Sequence, residues 1–154
     1  MNAFEILKKD HREVDNMMAI LEKAKGDTAS NNSHKQTFEM MREALTIHAE
    51  AEETIVYPAL EEFDETEDQA EHSYDEHAEV KSMLAQMSEL EPSSDEFQTL
   101  LSELKTSVRH HVAEEEGELF PKGEELLGES ELQEMGREIL EFKQEGLSSN
   151  TASI

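Results

Sequence analysis

His48-Ala49-Glu50-Ala51-Glu52-Glu53-Thr54-Ile55-Val56-Tyr57-Pro58 is answered 63 residues later by His111-Val112-Ala113-Glu114-Glu115-Glu116-Gly117-Glu118-Leu119-Phe120-Pro121. Each stretch carries a His and a Glu four residues apart, a spacing that puts both side chains on one face of a helix. The flanking residues say which face it is. Phe38, Met41 and Leu45 lead up to His48, and Ile55 and Ala59 follow Glu52, all in steps of three and four. Phe97, Leu101, Leu104 and Val108 lead to His111 and Glu115 in the same phase, with Leu119-Phe120 beyond. That is the apolar stripe of a core-facing helix, so two imidazoles and two carboxylates stand where Leu or Met would be expected.

Two more stripes have the same interruption. Phe4, Leu7, His11, Val14, Met18 and Leu21 form one, and Ala70, Ser73, His77, Val80, Leu84 and Met87 form another. Gly26-Asp27 and the polar run 28–33, the acidic turn 64–68, and Glu91-Pro92 before a Ser93-Ser94-Asp95 N-cap separate the four helices. The expected fold is all-α, an up-down-up-down four-helix bundle over residues 1–127. A short fifth helix over 128–145, with a stripe of Leu132, Met135, Ile139 and Phe142, is expected to pack on the bundle or to form a dimer contact. Residues 146–154 lack periodicity and are expected to be a mobile tail. Counting outward from the turns places His11 level with His48, His77 level with Glu52, and His111 within one helical turn of His77. At ~1.5 Å of rise per residue all six polar groups can meet in one layer. Met17, Met18, Met40, Met41, Met83 and Met87 are read as flexible core filler.

A carboxylate is almost never fully buried without a partner, and two in one small bundle call for a cation. Composition narrows the choice of site. Cysteine is absent, which excludes disulfides, thiol catalysis, iron–sulfur clusters and thiolate-bound zinc, leaving nitrogen and oxygen ligands. The formal charge is −25 over 154 residues, a field that repels phosphate backbones and anionic lipid, so neither nucleic acid nor membrane is an expected partner. The charged N-terminus has no apolar run for a signal peptide or a span, and a cytoplasmic location is expected. Such an acidic surface would also suit a saline habitat.

The chain repeats itself. Asp10-His11-Arg12-Glu13-Val14 matches Glu76-His77-Ala78-Glu79-Val80 at an offset of 66, beside the His-x-x-x-Glu match at 63. Each half therefore brings one lone His and one His-x-x-x-Glu, which suits two metal ions held by imidazoles and shared carboxylates. The ordered set His11, His48-x-x-x-Glu52, His77, His111-x-x-x-Glu115, with the TIVYP and GELFP endings, resembles the hemerythrin-like (HHE cation-binding domain) family over residues 3–125. The resemblance implies two iron ions joined by an oxo or hydroxo bridge, with manganese or zinc as alternatives. Glu52 and Glu115 would bridge, and His11, His48, His77 and His111 would be terminal ligands.

The family's oxygen carriers have a fifth His one turn before the third-helix ligand, where this chain has Ser73. His72, five residues from His77, lies ~140° away on a regular helix; Tyr74 is closer in phase and could reach the site as a hydrogen-bond donor or oxygen ligand. Glu53 and Glu116 are expected to be solvated, with support of a ligating imidazole as the alternative. A stand-alone protein, monomer or weak homodimer, is expected, and the resemblance implies that it binds O2 or NO. Alternatives are a di-iron enzyme consuming peroxide or nitric oxide, or an iron- or oxygen-sensing or iron-storage protein. A sensor with its own output module is not expected in this length.

Overall fold

The computed structural model describes residues 1–152, with side chains through Gly146, and among these residues all regular structure is helical. Five long helices follow one another. Helix α1 is Ala3–Glu22, and α2 is Asn31–Ala51, continued by a π-turn, Glu52–Val56, and a last α-turn, Tyr57–Leu60. Helix α3 is Glu67–Met87, and α4 is Asp95–Glu114, continued by a π-turn, Glu115–Leu119, and the segment Phe120–Leu127. Helix α5 is Glu129–Ala152. The four-helix bundle and the added helix are those expected from the stripes.

Local chemistry starts and stops these helices. Asn2 caps α1 in a reciprocal box, its side chain accepting from the Glu5 N–H while the Glu5 carboxylate accepts from the Asn2 N–H. Ser94 caps α4 by accepting from the Phe97 N–H at 3.2 Å, as the Ser-Ser-Asp run predicts. Gly128, with φ of 79°, supplies the left-handed residue that lets α5 turn away from α4.

The core is split in two by its polar layer. On one side Val14, Met18, Leu21, Phe38, Met41, Leu84, Met87, Phe97, Leu101 and Leu104 pack together. On the other, Phe4, Leu7, Val56, Tyr57, Leu60, Leu119 and Phe120 join Leu132, Met135 and Ile139 of α5. The fifth helix is thus part of the core, lying against α1 and α2. Gly136 permits this approach, since a Cβ there would sit 2.7 Å from the Met1 carbonyl oxygen. Helix α5 continues past residue 145 to Ala152, so the expected tail is helical over most of its length; residues 153–154 lie outside the described residues. Met40, expected in the core, is 65% exposed, because its neighbour Met41 takes the inward phase. None of the described helices is long and apolar enough to cross a membrane.

Candidate metal centre

The structure brings all six predicted residues to one place. Donor atoms of His11, His48, Glu52 and Glu115 form one group and those of Glu52, His77 and His111 a second, each within 4.8 Å of one another. Glu52 belongs to both. Its Oε1 lies 3.2 Å from His48 Nε2 and 3.1 Å from His77 Nε2, while Glu115 sits 3.3 Å from His11 Nε2 through Oε1 and 3.3 Å from His111 Nε2 through Oε2. Each carboxylate thus spans the two halves of the repeat. Glu52 is fully buried and Glu115 nearly so. Even so, Nε2 of His11 and of His48, both oxygens of Glu52 and Oε1 of Glu115 are buried without a hydrogen-bond partner. Five orphaned polar atoms converging in a core would cost several kcal/mol together if left as they are. All five lie on residues of the first group, which shares Glu52 with the second, and as nitrogen and oxygen donors they fit a metal ion.

Behind each imidazole stands another carboxylate. Nδ1 of His11 contacts Glu116 at 2.7 Å, and Nδ1 of His48, His77 and His111 contacts Asp10, Glu53 and Glu76, each at 2.8 Å. An acceptor at Nδ1 takes that nitrogen's proton and turns Nε2 inward as a donor pair for a cation. Glu53 and Glu116, expected to be solvated, therefore have this orienting task, and Asp10 and Glu76 were not singled out at all. A usable signal was present: Asp10 and Glu76 precede His11 and His77 in the repeat, and Glu53 and Glu116 follow the two shared carboxylates.

A further group was missed for a different reason. Tyr57 is fully buried, and its hydroxyl donates to Glu115 Oε2 at 2.7 Å while lying 3.2 Å from His77 Nε2 and 3.4 Å from His111 Nε2. On a regular helix Tyr57 would point ~140° away from Glu52. It does not, because the chain between them is a π-turn in which the Tyr57 N–H donates to the Glu52 carbonyl, five residues back. Pro58 accounts for the turn: it has no N–H to give to Thr54 and its ring crowds that carbonyl, and one extra residue in the turn relieves both. The second motif repeats the device, with Pro121 and an N–H of Phe120 donating to Glu115. Phe120, at the position matching Tyr57, stacks with His11 at 6.2 Å between ring centroids. One half of the cluster therefore meets a phenol and the other a phenyl ring.

The positions weighed for the missing fifth His do not fill it. Ser73 donates to the Gln69 carbonyl of its own helix, and His72 is 59% exposed on the outer face. Tyr74 directs its hydroxyl to the Glu53 carbonyl at 3.5 Å and packs its ring edge-on against Tyr57.

Electrostatics agree with a site built for positive charge. Burial works against charging His48, but the Glu52 carboxylate and the contact with Asp10 outweigh it and push the pKa up to about 10. His111 is likewise pushed up to about 10 against its burial, by Glu115, Glu52 and Glu76. Burial opposes ionisation of Glu52, yet His48 and His77 hold it well below the usual carboxylate range. Without metal, protons on the imidazoles balance the shared carboxylates.

A cavity of 290 Å³ opens onto the cluster, lined by all four histidines and by Leu45, Val80, Leu84, Val108 and Val112. It has room for a small ligand beside the donor atoms. The family model for the hemerythrin HHE cation binding domain matches residues 2–123, the part of the chain that holds all six residues. The chain belongs to the hemerythrin HHE family. A solved structure of a hemerythrin HHE cation binding domain-containing protein from Mycobacterium kansasii has the same fold, with a TM-score of 0.82 over 97% of this chain and 89% of that one, at 23% identity. A Nostoc sp. protein named DNA nickase is 34% identical over 122 residues, which are 78% of this chain and 33% of the relative. This HHE chain thus spans about a third of that protein's length.

Within this HHE site the tyrosine is the least expected member, and its removal is informative. Tyr57→Phe keeps the ring but leaves Glu115 Oε2 without its donor, so the metal-free protein should lose about 1–3 kcal/mol of stability. Urea denaturation reads this directly; an unchanged midpoint would show that the hydroxyl does not support Glu115.

Proposed function

We propose that the chain is a non-haem di-iron protein that binds O2 or NO, with His11, His48, Glu52, His77, His111 and Glu115 as metal ligands. The observation that carries this reading is the set of five buried donor atoms without partners on His11, His48, Glu52 and Glu115, beside a second donor group that shares Glu52. Iron would supply reversible one-electron chemistry and an open coordination position for a diatomic ligand. The residues do the rest. Asp10, Glu53, Glu76 and Glu116 hold the four imidazoles in one tautomer, and the π-turn after Glu52 lets the Tyr57 hydroxyl donate to Glu115. The apolar wall of the cavity, Leu45, Val80, Leu84 and Val108, favours a small uncharged ligand over an anion.

A second reading, turnover of peroxide or nitric oxide, is favoured by Tyr57. Its hydroxyl faces the His77–His111 half, where it can hold a proton or serve as an oxygen donor. Burial, with the charges of Glu52 and Glu115, holds the phenol well above its usual pKa, so it keeps its proton at neutral pH. DNA nicking is not proposed: the net charge of −25 opposes a phosphodiester backbone.

One experiment separates the readings. The protein, with iron measured on the same sample, is reduced without oxygen and then exposed in turn to O2, NO and H2O2 while its absorption is followed. Binding predicts a stoichiometric spectral change that reverses when the gas is removed. Turnover predicts steady consumption of NO or peroxide, diminished in Tyr57→Phe. Two irons per chain and no response to any of the three would overturn both.

A further inference from the structure

The two halves of the repeat treat their outer carboxylates differently. In the first half Asp10 of α1 holds His48 Nδ1, and the Lys143 ammonium of α5 pairs with Asp10 from outside. In the second half Glu76 of α3 holds His111 Nδ1 through Oε1, and among the described residues no lysine or arginine pairs with it. Its other oxygen, Oε2, instead lies 3.8 Å from His72 Nε2 and 4.0 Å from His110 Nε2. His110 Nε2 is also 2.9 Å from Glu114 Oε1, and donor atoms of His72, Glu76 and Glu114 fall within 4.8 Å of one another.

The sequence shows how the asymmetry arose. The repeat positions matching His72, His110 and Glu114 are Ile6, Ile47 and Ala51, all buried beneath α5. The first half was made apolar and covered by a helix that carries its own cation. The second half has no such helix over it and bears two imidazoles and two carboxylates in their place, with His72 59% and His110 65% exposed.

We propose that His72, Glu76, His110 and Glu114 form a surface site for one divalent transition-metal ion of the Zn2+ or Fe2+ class, which stands beside Glu76 where Lys143 stands beside Asp10. His72 with Glu76 on α3, and His110 with Glu114 on α4, are two His-x-x-x-Glu pairs facing each other across the groove between the helices. Two neutral imidazoles select borderline first-row ions over Mg2+ and Ca2+, and two carboxylates match a charge of +2. His72 and His110 are exposed, so their side chains can close the remaining distance without disturbing the core. The site does not depend on what the core cluster holds, but Glu76 touches both, so an ion here shares its anchor with His111.

The test is a calorimetric titration of the full chain with Zn2+, in the presence of excess Mg2+, with core metal measured before and after. The wild type should take up one equivalent more than His72→Ala/His110→Ala, with a micromolar Kd, and the two proteins should melt alike and hold equal core metal. All six core groups remain in that variant, so a failure of the core reading would not alter the difference. Equal Zn2+ uptake by both proteins, or wild-type uptake that excess Mg2+ abolishes, would overturn the proposal.

Discussion

Glu52→Gln is expected to cost the protein both metal ions, whereas His11→Ala should cost mainly one. The reason is geometric. Glu52 is the residue common to both donor groups, whereas His11 belongs to one of them. Its Oε1 lies 3.2 Å from His48 Nε2 and 3.1 Å from His77 Nε2, so a single carboxylate faces imidazoles from both halves. Glutamine preserves the shape of this fully buried side chain, and the bundle should still form. It removes the negative charge and replaces one oxygen by an amide nitrogen that cannot ligate. With one anionic ligand gone from each position, metal analysis should find fewer than one ion per chain in Glu52→Gln and about one in His11→Ala. Two ions retained in Glu52→Gln would show that the shared carboxylate is not a ligand.

Removal of the metal should be nearly as consequential, and should make stability depend on pH. A ligand held at a thousand times its Kd stabilises the fold by about 4 kcal/mol. For a chain of this size that corresponds to about 10 °C in melting temperature, at ~2–4 °C per kcal/mol. The metal-free protein must rely on protons instead. His48 and His111 have pKa values near 10 in the fold, above the ordinary 6.5. A raised pKa means the folded state binds the proton more tightly, so the stabilisation is complete below about pH 6.5 and disappears as pH rises through about 10. Melting temperatures of chelator-treated protein should therefore fall steadily between pH 7 and 10. The loaded protein should change much less, because metal replaces the protons that would be lost. Equal melting temperatures for loaded and stripped protein at every pH would contradict the coupling of binding and folding.

The stripes made the bundle legible, and their interruptions made the six inward residues legible, because helix phase converts spacing directly into direction. The orienting carboxylates were harder. Glu53 and Glu116 sit just off the core phase, where a solvated carboxylate is the ordinary outcome, and their task depends on a ring nitrogen contributed by another helix. Asp10 serves His48 and Glu76 serves His111, pairings between helices 38 and 35 residues apart that no local pattern encodes.

Tyr57 marks the boundary most clearly. It lies inside the quoted motif, five residues from Glu52, and regular α phase sends it away from the site. The same ~140° argument weighed against His72 without excluding it, and there the phase holds, because α3 is regular from Glu67 to Met87. For Tyr57 it failed, because a single π-turn ahead of Pro58 resets the phase. Spacing alone was enough to specify the bundle and the inward-facing donors, since each follows from a period that every residue of a helix shares. Three-dimensional packing decided which carboxylate braces which imidazole, which half of the repeat α5 covers, and that a phenol stands at the cluster. Each of these depends on where separate helices meet or on one departure from the period, and neither is a property of spacing along the chain.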